Sequence, residues 1–234
     1  MPMKQAPVDL AFSHKYDRAH AAQYLAKHQD GLARRLSHLR DIQLARRALA
    51  QAGDPQRVLD LPCGAGRFWP LLAERPDREI LAADNSESML ETALAHQPAD
   101  IVRRVQTFRT SAFAIDLPDD AVDCIFCMRL LHHISDSAHR LTMLQEFHRV
   151  SRDTVILSLW VDGNYKAWKR ARLERRRAAA GKTGSNANRF VVSRSVIENE
   201  FVRAGFGIIG RHDFLPGYAM WRVYVLRKAA PSCR

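Results

Sequence analysis

The chain has 234 residues, of which 47% are hydrophobic and 26% are charged, a composition typical of a soluble globular protein with one sizeable domain. No run of 18 apolar residues is present, which argues against a membrane-spanning helix, and the first residues lack the apolar stretch of a secretory signal. We therefore expect a cytoplasmic protein. The formal net charge of +11 directs attention to where the basic residues lie.

The residues before position 54 predict helices. Leucines recur at helical spacing from 16 to 52, Gly31 divides this segment into two helices, and Gly53 ends the second. Strands and helices then alternate along the chain. The predicted strands are 57–61, 79–83, 104–111, 121–128 and 154–160, and the predicted helices between them are 68–76, 86–97 and 135–150.

The predicted strands are continuous apolar runs, which is typical of a parallel sheet covered by helices on both faces. Their alternation with helices predicts right-handed βαβ units and an α/β, doubly wound fold. The end of the chain departs from this order. A helix with a capping box of Ser195 and Glu198 precedes strand-like runs at 207–215 and 220–227. A Pro-Gly turn joins these runs, so we expect an antiparallel hairpin.

The chain contains four cysteines, Cys63, Cys124, Cys127 and Cys233. Cys124 and Cys127 have C-x-x-C spacing, but they lie in a predicted strand, where an odd separation directs two side chains to opposite faces. No second cysteine pair lies at zinc-finger distance. We therefore predict buried thiols in a reducing compartment and no metal site.

The first predicted strand ends in a glycine-containing turn, VLDLPCGAGRF, in which Asp60 precedes Gly64 and Gly66. In an open α/β sheet such a turn lies where ligands bind, beyond the carboxyl ends of the strands. A Walker phosphate loop is excluded because Arg-Phe follows the second glycine, where that loop needs Lys and then Ser or Thr. A dinucleotide fingerprint needs a small residue at position 69, which is Trp69. A third class of ligand is therefore indicated.

The segment Asp60-Leu61-Pro62-Cys63-Gly64-Ala65-Gly66 resembles the first motif of the class I S-adenosylmethionine-dependent methyltransferases, an acidic residue followed by x-Gly-x-Gly-x-Gly. Pro62 replaces the first glycine, which is tolerated where positive φ is not required. The resemblance covers residues 55–160, with Asp84 ending the second strand and Leu131-His132-His133 following the fourth. It implies a Rossmann-like seven-stranded sheet with a C-terminal antiparallel hairpin and N-terminal helices, and S-adenosylmethionine as the cofactor.

The resemblance also implies a role for individual residues. Asp60 and the glycines hold the amino-acid part of the cofactor, and Asp84 binds the ribose hydroxyls, unless it is only a helix cap. Ser111-Ala112 stands where the family has Asp-Ala at the adenine edge. Met89 is either adenine-side packing or plain core.

Arg34, Arg35 and Arg40 lie on the helix before the sheet. They are either solvated or supply one clamp for the cofactor carboxylate, with Tyr16 closing over it, and Arg40 is our candidate. The predicted cofactor-binding residues are Tyr16, Arg40, Asp60, Pro62, Cys63, Gly64, Gly66, Asp84, Asn85, Met89, Ser111, Ala112, Phe113, Met128 and Arg129.

The reaction implied by the resemblance is displacement at a sulfonium methyl group by an acceptor positioned in a water-poor pocket. His132 and His133 are the candidate catalytic residues, with a packing or capping role as the alternative for His133. His212 and Asp213 on the hairpin are further candidate bases.

The basic residues are concentrated between positions 164 and 190, where nine Lys or Arg face one Glu, so +8 of the net charge of +11 lies in this segment. It is either a solvated lid helix or a site for an anionic acceptor such as a phosphorylated sugar, a lipid, lipopolysaccharide or RNA. RNA is disfavoured because only +3 lies elsewhere. Residues 164–190 are also a candidate contact for a membrane surface or a protein partner.

The predicted organisation is a single methyltransferase domain over 1–234. Its parts are an N-terminal helical cap, 1–53, a cofactor-binding core, 54–161, a basic acceptor-side insertion, 162–192, and a terminal helix and hairpin, 193–234. The predicted function is methyl transfer to an anionic small-molecule, sugar-phosphate or lipid-linked acceptor. Two alternatives are a non-catalytic S-adenosylmethionine-binding scaffold or regulatory protein, since fold does not fix function, and an RNA methyltransferase.

Overall fold

The computed structural model describes residues 31–181 and 188–229. Helices α1 to α7 are Leu32–Gln51, Trp69–Leu72, Glu87–His96, Ala99–Val102, Ser137–Val150, Tyr165–Ala179 and Arg194–Arg203. Strands β1 to β7 are Arg57–Asp60, Glu79–Asp84, Val105–Arg109, Val122–Cys127, Ser151–Trp160, Phe206–Asp213 and Trp221–Lys228. A 3-10 turn, Leu131–His133, follows β4.

The strands form one sheet in the order β3-β2-β1-β4-β5-β7-β6. Strands β1 to β5 are parallel, and β7 runs antiparallel to both β5 and β6. This confirms the predicted α/β, Rossmann-like doubly wound sheet of seven strands with a C-terminal antiparallel hairpin. The strand order reverses between β1 and β4, and ligands bind beyond the carboxyl ends of the strands at such a switch point.

Alternate residues of the central strands face two separate hydrophobic layers. On β4, Ile125 and Cys127 pack into the layer that contains α5 and α7, whereas Cys124 and Phe126 pack into the layer that contains α1. The two thiols therefore point to opposite faces, as predicted. Burial raises the pKa of the Cys124 thiol to about 12, so this thiol stays protonated. Among the residues that the structure describes, no cluster of His, Cys, Asp and Glu could hold a metal ion.

A buried ion pair joins α5 to α7 beneath the first of these layers. Arg140 donates from Nε and Nη2 to the two carboxylate oxygens of Glu200 at 2.8 and 2.6 Å. Its Nη1 donates to the carbonyl oxygens of Ile134 and Ser135, and the Ser137 hydroxyl donates to Glu200. Both side chains are at least 95% buried, so these hydrogen bonds offset the loss of hydration of the two charges.

The structure departs from the predicted elements in several places, and the helix predicted over 68–76 spans only Trp69–Leu72. β5 begins at Ser151, three residues before the predicted strand, and the short helix α4 was not predicted. The predicted capping box is wrong, because α7 begins at Arg194 and Ser195 lies within it. Glu198 instead accepts hydrogen bonds from Arg211 and Tyr224. The predicted helix before Gly31 lies outside the described residues. No described helix combines the length and the apolar character needed to cross a membrane.

Candidate functional site

The turn after β1 depends on two glycines with positive φ. Gly64 has φ 54° and Gly66 has φ 71°, a conformation that side chains with a Cβ rarely adopt. A Cβ at Gly66 would also lie 2.8 Å from the Trp69 ring and 2.9 Å from Gln97. The backbone N–H of Cys63 donates to the carbonyl oxygen of Ala83, which ties the turn to β2. The Leu61–Pro62 peptide is cis.

Asp84, the last residue of β2, connects this turn to the start of α3. Its Oδ2 accepts from the backbone N–H of Gly64 at 3.0 Å, and its Oδ1 accepts from the N–H of Ser86 at 2.9 Å. Burial raises the pKa of Asp84, and these backbone hydrogen bonds act in the opposite direction. The two carboxylate oxygens have four lone-pair sites in all, so the group retains acceptor capacity for a ligand donor.

Asp60, the last residue of β1, is a buried carboxyl group whose Oδ2 has no hydrogen-bond partner among the described residues. Burial and the neighbouring charge of Asp84 raise its pKa well above the usual range. The indole N–H of Trp69 acts in the opposite direction but makes no hydrogen bond within the described structure. An unpartnered buried carboxyl is costly, so a cation or a hydrogen-bond donor placed beside it would be stabilised.

A charge cluster that was not predicted as a unit lies beside the glycine turn. Arg67, which follows Gly66, donates to His38 Nδ1 at 3.0 Å and to Asp41 Oδ2 at 2.6 Å. Arg129 also donates to Asp41 Oδ2. Two guanidinium groups therefore share one buried carboxylate, and Arg67 Nη1 is buried without a partner in the described part of the chain. The cluster retains positive charge and can bind an anionic group.

Arg40 was predicted to clamp the cofactor, but its guanidinium is engaged elsewhere. It donates to the backbone carbonyl oxygens of Phe214 and Asp213 and to the side chain of Gln43. Arg40 thus stabilises the β6–β7 hairpin against α1, and Arg67 and Arg129 occupy the position beside the glycine turn. Tyr16 lies outside the described residues. The sequence signal for Asp41 was weak, since it is an isolated acidic residue in a helix rich in arginine.

The other predicted cofactor residues lie around the ends of β1 to β4. Met89 is buried, and its Cε lies 3.4 Å from the position of a Cβ on Gly64. Ser111 Oγ accepts from the backbone N–H of Phe113, and Asn85 is exposed. Ala112, Cys63 and Met128 are buried, and Pro62 is half-buried. Burial raises the pKa of the Cys63 thiol well above its usual range, which excludes a thiolate at neutral pH.

The two candidate catalytic histidines lie in an aromatic cluster that follows β4. The His132 ring lies 3.9 Å from that of His133, 5.3 Å from that of Trp160 and 4.7 Å from that of Trp221, measured between centroids. Burial, and to a smaller extent His133, lower the pKa of His132 to about 2, so His132 is neutral at physiological pH. Its Nδ1 and the Trp160 Nε1 are buried without a hydrogen-bond partner in the described structure.

His133 is held by the basic insertion. Its Nδ1 lies 2.5 Å from the carbonyl oxygen of Asn188, and because a carbonyl only accepts, Nδ1 carries the proton and Nε2 the lone pair. Burial lowers the pKa of His133, and the hydrogen bond to Asn188 acts in the opposite direction. The other candidate bases are engaged at the hairpin, where His212 contacts Gln51 and Asp213 pairs with Arg222.

The described parts of the basic insertion contact both histidines and the adjacent tryptophans. The Phe190 N–H donates to the His132 carbonyl oxygen at 2.7 Å. The Arg170 and Arg189 guanidinium groups lie 5.3 and 5.9 Å from the Trp160 ring centroid, and Arg129 lies 4.7 Å from that of Trp221. These cation–π contacts place three positive charges around the aromatic cluster.

The sheet order, the antiparallel terminal hairpin, the glycine turn after β1 and the acidic residue at the end of β2 agree with the resemblance to the class I S-adenosylmethionine-dependent methyltransferases. Residues 58–154 match the methyltransferase domain family, so this part of the chain is a methyltransferase domain.

Curated relatives are similar over parts of their length. The chain is 34% identical over 91 residues to trans-aconitate 2-methyltransferase of Methylobacterium radiotolerans, a match that covers 38% of this chain and 33% of the relative. It is 28% identical over 145 residues to demethylmenaquinone methyltransferase of Geobacillus kaustophilus, covering 59% of this chain and 60% of the relative. The chain thus spans between a third and three fifths of these proteins.

Solved structures resemble the chain over more of its length. Magnesium protoporphyrin IX methyltransferase from Synechocystis with bound SAH has a TM-score of 0.72 at 15% identity, covering 93% of this chain and 98% of that one. A SAM-dependent methyltransferase from Aquifex aeolicus has a TM-score of 0.62 at 18% identity, covering 92% and 100%. At these identities the likeness is one of fold.

Proposed function

We propose that this protein binds S-adenosylmethionine beyond the ends of β1 and β2 and transfers its methyl group to an anionic small-molecule, sugar-phosphate or lipid-linked acceptor. The observation that carries the proposal is the pair of carboxyl groups on either side of the glycine turn. Asp84 is fixed by two backbone N–H groups and retains acceptor sites, whereas Asp60 is buried with Oδ2 unpartnered in the described structure. Such a pair suits a ligand with a diol at one end and an ammonium group at the other.

The residues around the turn fit the parts of this cofactor. Asp84 would accept from the ribose hydroxyls, and Asp60 would face the ammonium group. Arg67 and Arg129, which share Asp41, would bind the carboxylate. Ala112 and Phe113 would lie at the adenine, where Ser111 offers a hydroxyl in place of the usual carboxylate.

Bound S-adenosylmethionine supplies a methyl group that is already activated as a sulfonium, so the residues of the chain position the acceptor and exclude water. The two histidines are neutral, and the His133 ring is fixed by the hydrogen bond from its Nδ1 to the carbonyl oxygen of Asn188. Because burial lowers the pKa of His133, it is a weak base. This favours an acceptor oxygen that is already ionised, or nearly so, in solution.

The surroundings of the histidines support an anionic acceptor. Arg170 and Arg189 come from the basic insertion and Arg129 from the end of β4, and all three guanidinium groups lie on the tryptophan rings next to His132. A phosphate or carboxylate entering this region would meet pre-oriented guanidinium donors. A small or lipid-linked anion is favoured over RNA, because only +3 of the net charge lies outside positions 164–190.

Calorimetric titration tests the cofactor half of the proposal. We expect S-adenosylmethionine and S-adenosylhomocysteine to bind the parent chain and to lose at least about tenfold in affinity in Asp84→Ala, since hydrogen bonds to a charged group contribute about 1.5–3 kcal/mol. The control is Asp153→Ala, which removes an exposed carboxylate at the opposite end of the sheet. Absence of binding to the parent chain would overturn the proposal.

A transfer assay with methyl-labelled cofactor tests the acceptor half. Cell extract is separated into lipids, small molecules, nucleic acids and proteins, and each fraction is incubated with the parent chain. We expect label in an anionic lipid or small-molecule fraction. Label in nucleic acid would favour RNA methyl transfer, and cofactor binding without label in any fraction would favour a scaffold protein.

A further inference from the structure

The outward face of α6 is basic and aromatic. Residues Tyr165, Trp168, Lys169, Arg172 and Arg176 recur at helical spacing on one side of the helix, and Leu173 borders them. We call these six residues the α6 surface. All of them are exposed, with Tyr165 at 48%, Trp168 at 52% and Leu173 at 46%. The acidic residue of the helix, Glu174, is paired with Arg170 at 2.8 Å.

The aromatic rings of this surface are ordered without being buried. Tyr165 stacks on Tyr218 of the hairpin loop at 5.7 Å with an interplanar angle of 11°, and Trp168 lies 6.0 Å from Tyr165. Lys166 lies 5.2 Å from the Tyr218 ring and Arg172 lies 5.5 Å from the Trp168 ring. Three large rings are therefore held together at the surface, and two of them, Trp168 and Tyr218, have a cation against one face.

We propose that the α6 surface docks the protein on an anionic phospholipid bilayer, with α6 lying in the headgroup plane. Tryptophan and tyrosine favour this interface because their rings are apolar and their N–H or O–H groups are polar. The helix carries seven Lys or Arg against one Glu, which complements an anionic leaflet. Long basic side chains also reach the headgroups while their stems cover apolar surface.

The shape and chemistry of this surface favour lipid over nucleic acid. Single-stranded nucleic acid binds along a positively charged groove in which bases stack on successive aromatic rings, whereas the Tyr165 ring of the α6 surface is already stacked on Tyr218. Leu173 adds an aliphatic side chain that contributes to insertion among acyl chains but not to stacking on bases.

Docking through this face would bring the bilayer close to the histidines. Arg170 on the other side of α6 donates to the carbonyl oxygen of Arg189 and lies on the Trp160 ring next to His132. The inference goes beyond methyl transfer and does not require it, since bilayer binding is measured without cofactor or acceptor.

Co-sedimentation of the full chain with vesicles tests the proposal. We expect binding to vesicles of phosphatidylglycerol and phosphatidylcholine, little binding to phosphatidylcholine alone, and strong weakening as salt rises from about 0.05 to about 0.5 M. The triple substitution Lys169→Gln, Arg172→Gln and Arg176→Gln should weaken binding about a hundredfold, since each basic residue at an anionic surface contributes about fivefold.

The matched control removes the same charge elsewhere. Arg35→Gln, Arg103→Gln and Arg203→Gln change three exposed residues outside the α6 surface and should leave vesicle binding within about threefold of the parent. Circular dichroism establishes that both triple variants are folded. Equal weakening by the two variants would show a non-specific effect of net charge and would overturn the proposal.

Trp168 provides an independent readout, because it is exposed, whereas Trp69 and Trp160 are buried and Trp221 is half-buried. Brominated phosphatidylcholine, mixed into the anionic vesicles, should quench the fluorescence of the parent chain and have much less effect on Trp168→Phe. Equal quenching of the two proteins would overturn the proposed orientation. Salt-sensitive binding to a single-stranded RNA, without any vesicle binding, would replace the bilayer by nucleic acid as the partner.

Discussion

The carboxylate of Asp84 accepts a hydrogen bond from the backbone N–H of Gly64 at 3.0 Å, so the end of β2 fixes the turn that follows β1. The second oxygen accepts from Ser86, which opens α3. The buried Asp84 side chain thus holds the turn that follows β1 and the start of α3 together at the end of β2. Both its charge and its acceptor geometry are needed.

Asp84→Asn removes the charge and one of the two acceptor oxygens. The amide retains one acceptor oxygen but places an NH2 group against a backbone N–H, so one donor loses its partner. We expect a loss of about 1–3 kcal/mol in the free energy of unfolding, measured by urea denaturation. Asp153→Asn, at an exposed ion pair, should change it by less than about 0.5 kcal/mol. Equal stability of Asp84→Asn and the parent would show that the carboxylate does not hold the turn.

The glycine turn predicts a difference between two Gly→Ala substitutions. Gly53 has φ 86° and open space where a Cβ would lie, whereas a Cβ at Gly66, with φ 71°, would meet the Trp69 ring at 2.8 Å. Gly53→Ala should therefore cost only the left-handed backbone penalty of about 1–2 kcal/mol. Gly66→Ala should cost about 1–3 kcal/mol more through overpacking, and should also weaken cofactor binding. Similar unfolding midpoints for the two variants would contradict this.

The buried pair between α5 and α7 predicts a large effect of removing one charge. Arg140→Leu leaves the Glu200 carboxylate buried without its cation, and the free energy of unfolding should fall by about 3–5 kcal/mol. Arg140→Leu combined with Glu200→Leu should recover much of this loss, because no uncompensated charge remains. As a control, Arg46→Leu breaks the exposed pair with Glu74 and should cost about 0–1 kcal/mol. Failure of the double variant to recover would show that packing, not charge, is responsible.

The His132 environment predicts a loss of stability in acid. The pKa of His132 is about 2 in the folded state, whereas its ordinary value, which applies to the unfolded state, is 6.5. Between these two pH values the unfolded state therefore binds more protons than the folded state. Stability is therefore lost as pH falls below about 6.5, by about 2 kcal/mol at pH 5. Urea denaturation at pH 7 and pH 5 measures the loss in the free energy of unfolding. This loss should be smaller in His132→Phe than in the parent chain by about 2 kcal/mol. The exposed His96→Phe is the control, and an unchanged loss in His132→Phe would contradict the prediction.

The sheet could be predicted from the sequence because its strands are apolar runs that are buried on both faces, as β4 illustrates with Cys124 and Cys127 in opposite layers. The start of β5 was harder to predict, since Ser151 to Asp153 are polar and extend the strand where Ser151 pairs with Val122 of β4. The capping box failed for the same kind of reason, because Glu198 is taken by Arg211 and Tyr224 from the hairpin.

The positions of Asp60 and Asp84 at the ends of β1 and β2 were predicted from local spacing. The charge cluster of Asp41, Arg67 and Arg129 beside them was not. Asp41 lies 26 residues before Arg67 and 88 before Arg129, so nothing in the local pattern connects the three. Arg40, by contrast, directly precedes Asp41 in the sequence, but its guanidinium is held by carbonyl groups of the hairpin and not by the charge cluster. Such long-range pairings depend on how α1 packs across the sheet.

Trp160 and Trp221 are opposite each other on β5 and β7, with ring centroids 5.6 Å apart. The basic insertion leaves the sheet directly after the first tryptophan, and the hairpin loop enters it directly before the second. Both segments therefore join the sheet beside the two tryptophans that contact His132. A change in the length of either segment beyond this pair is expected to leave the pairing of β5 with β7 in place. Under the proposed function, the acceptor side would thus vary while the cofactor side of the sheet is kept.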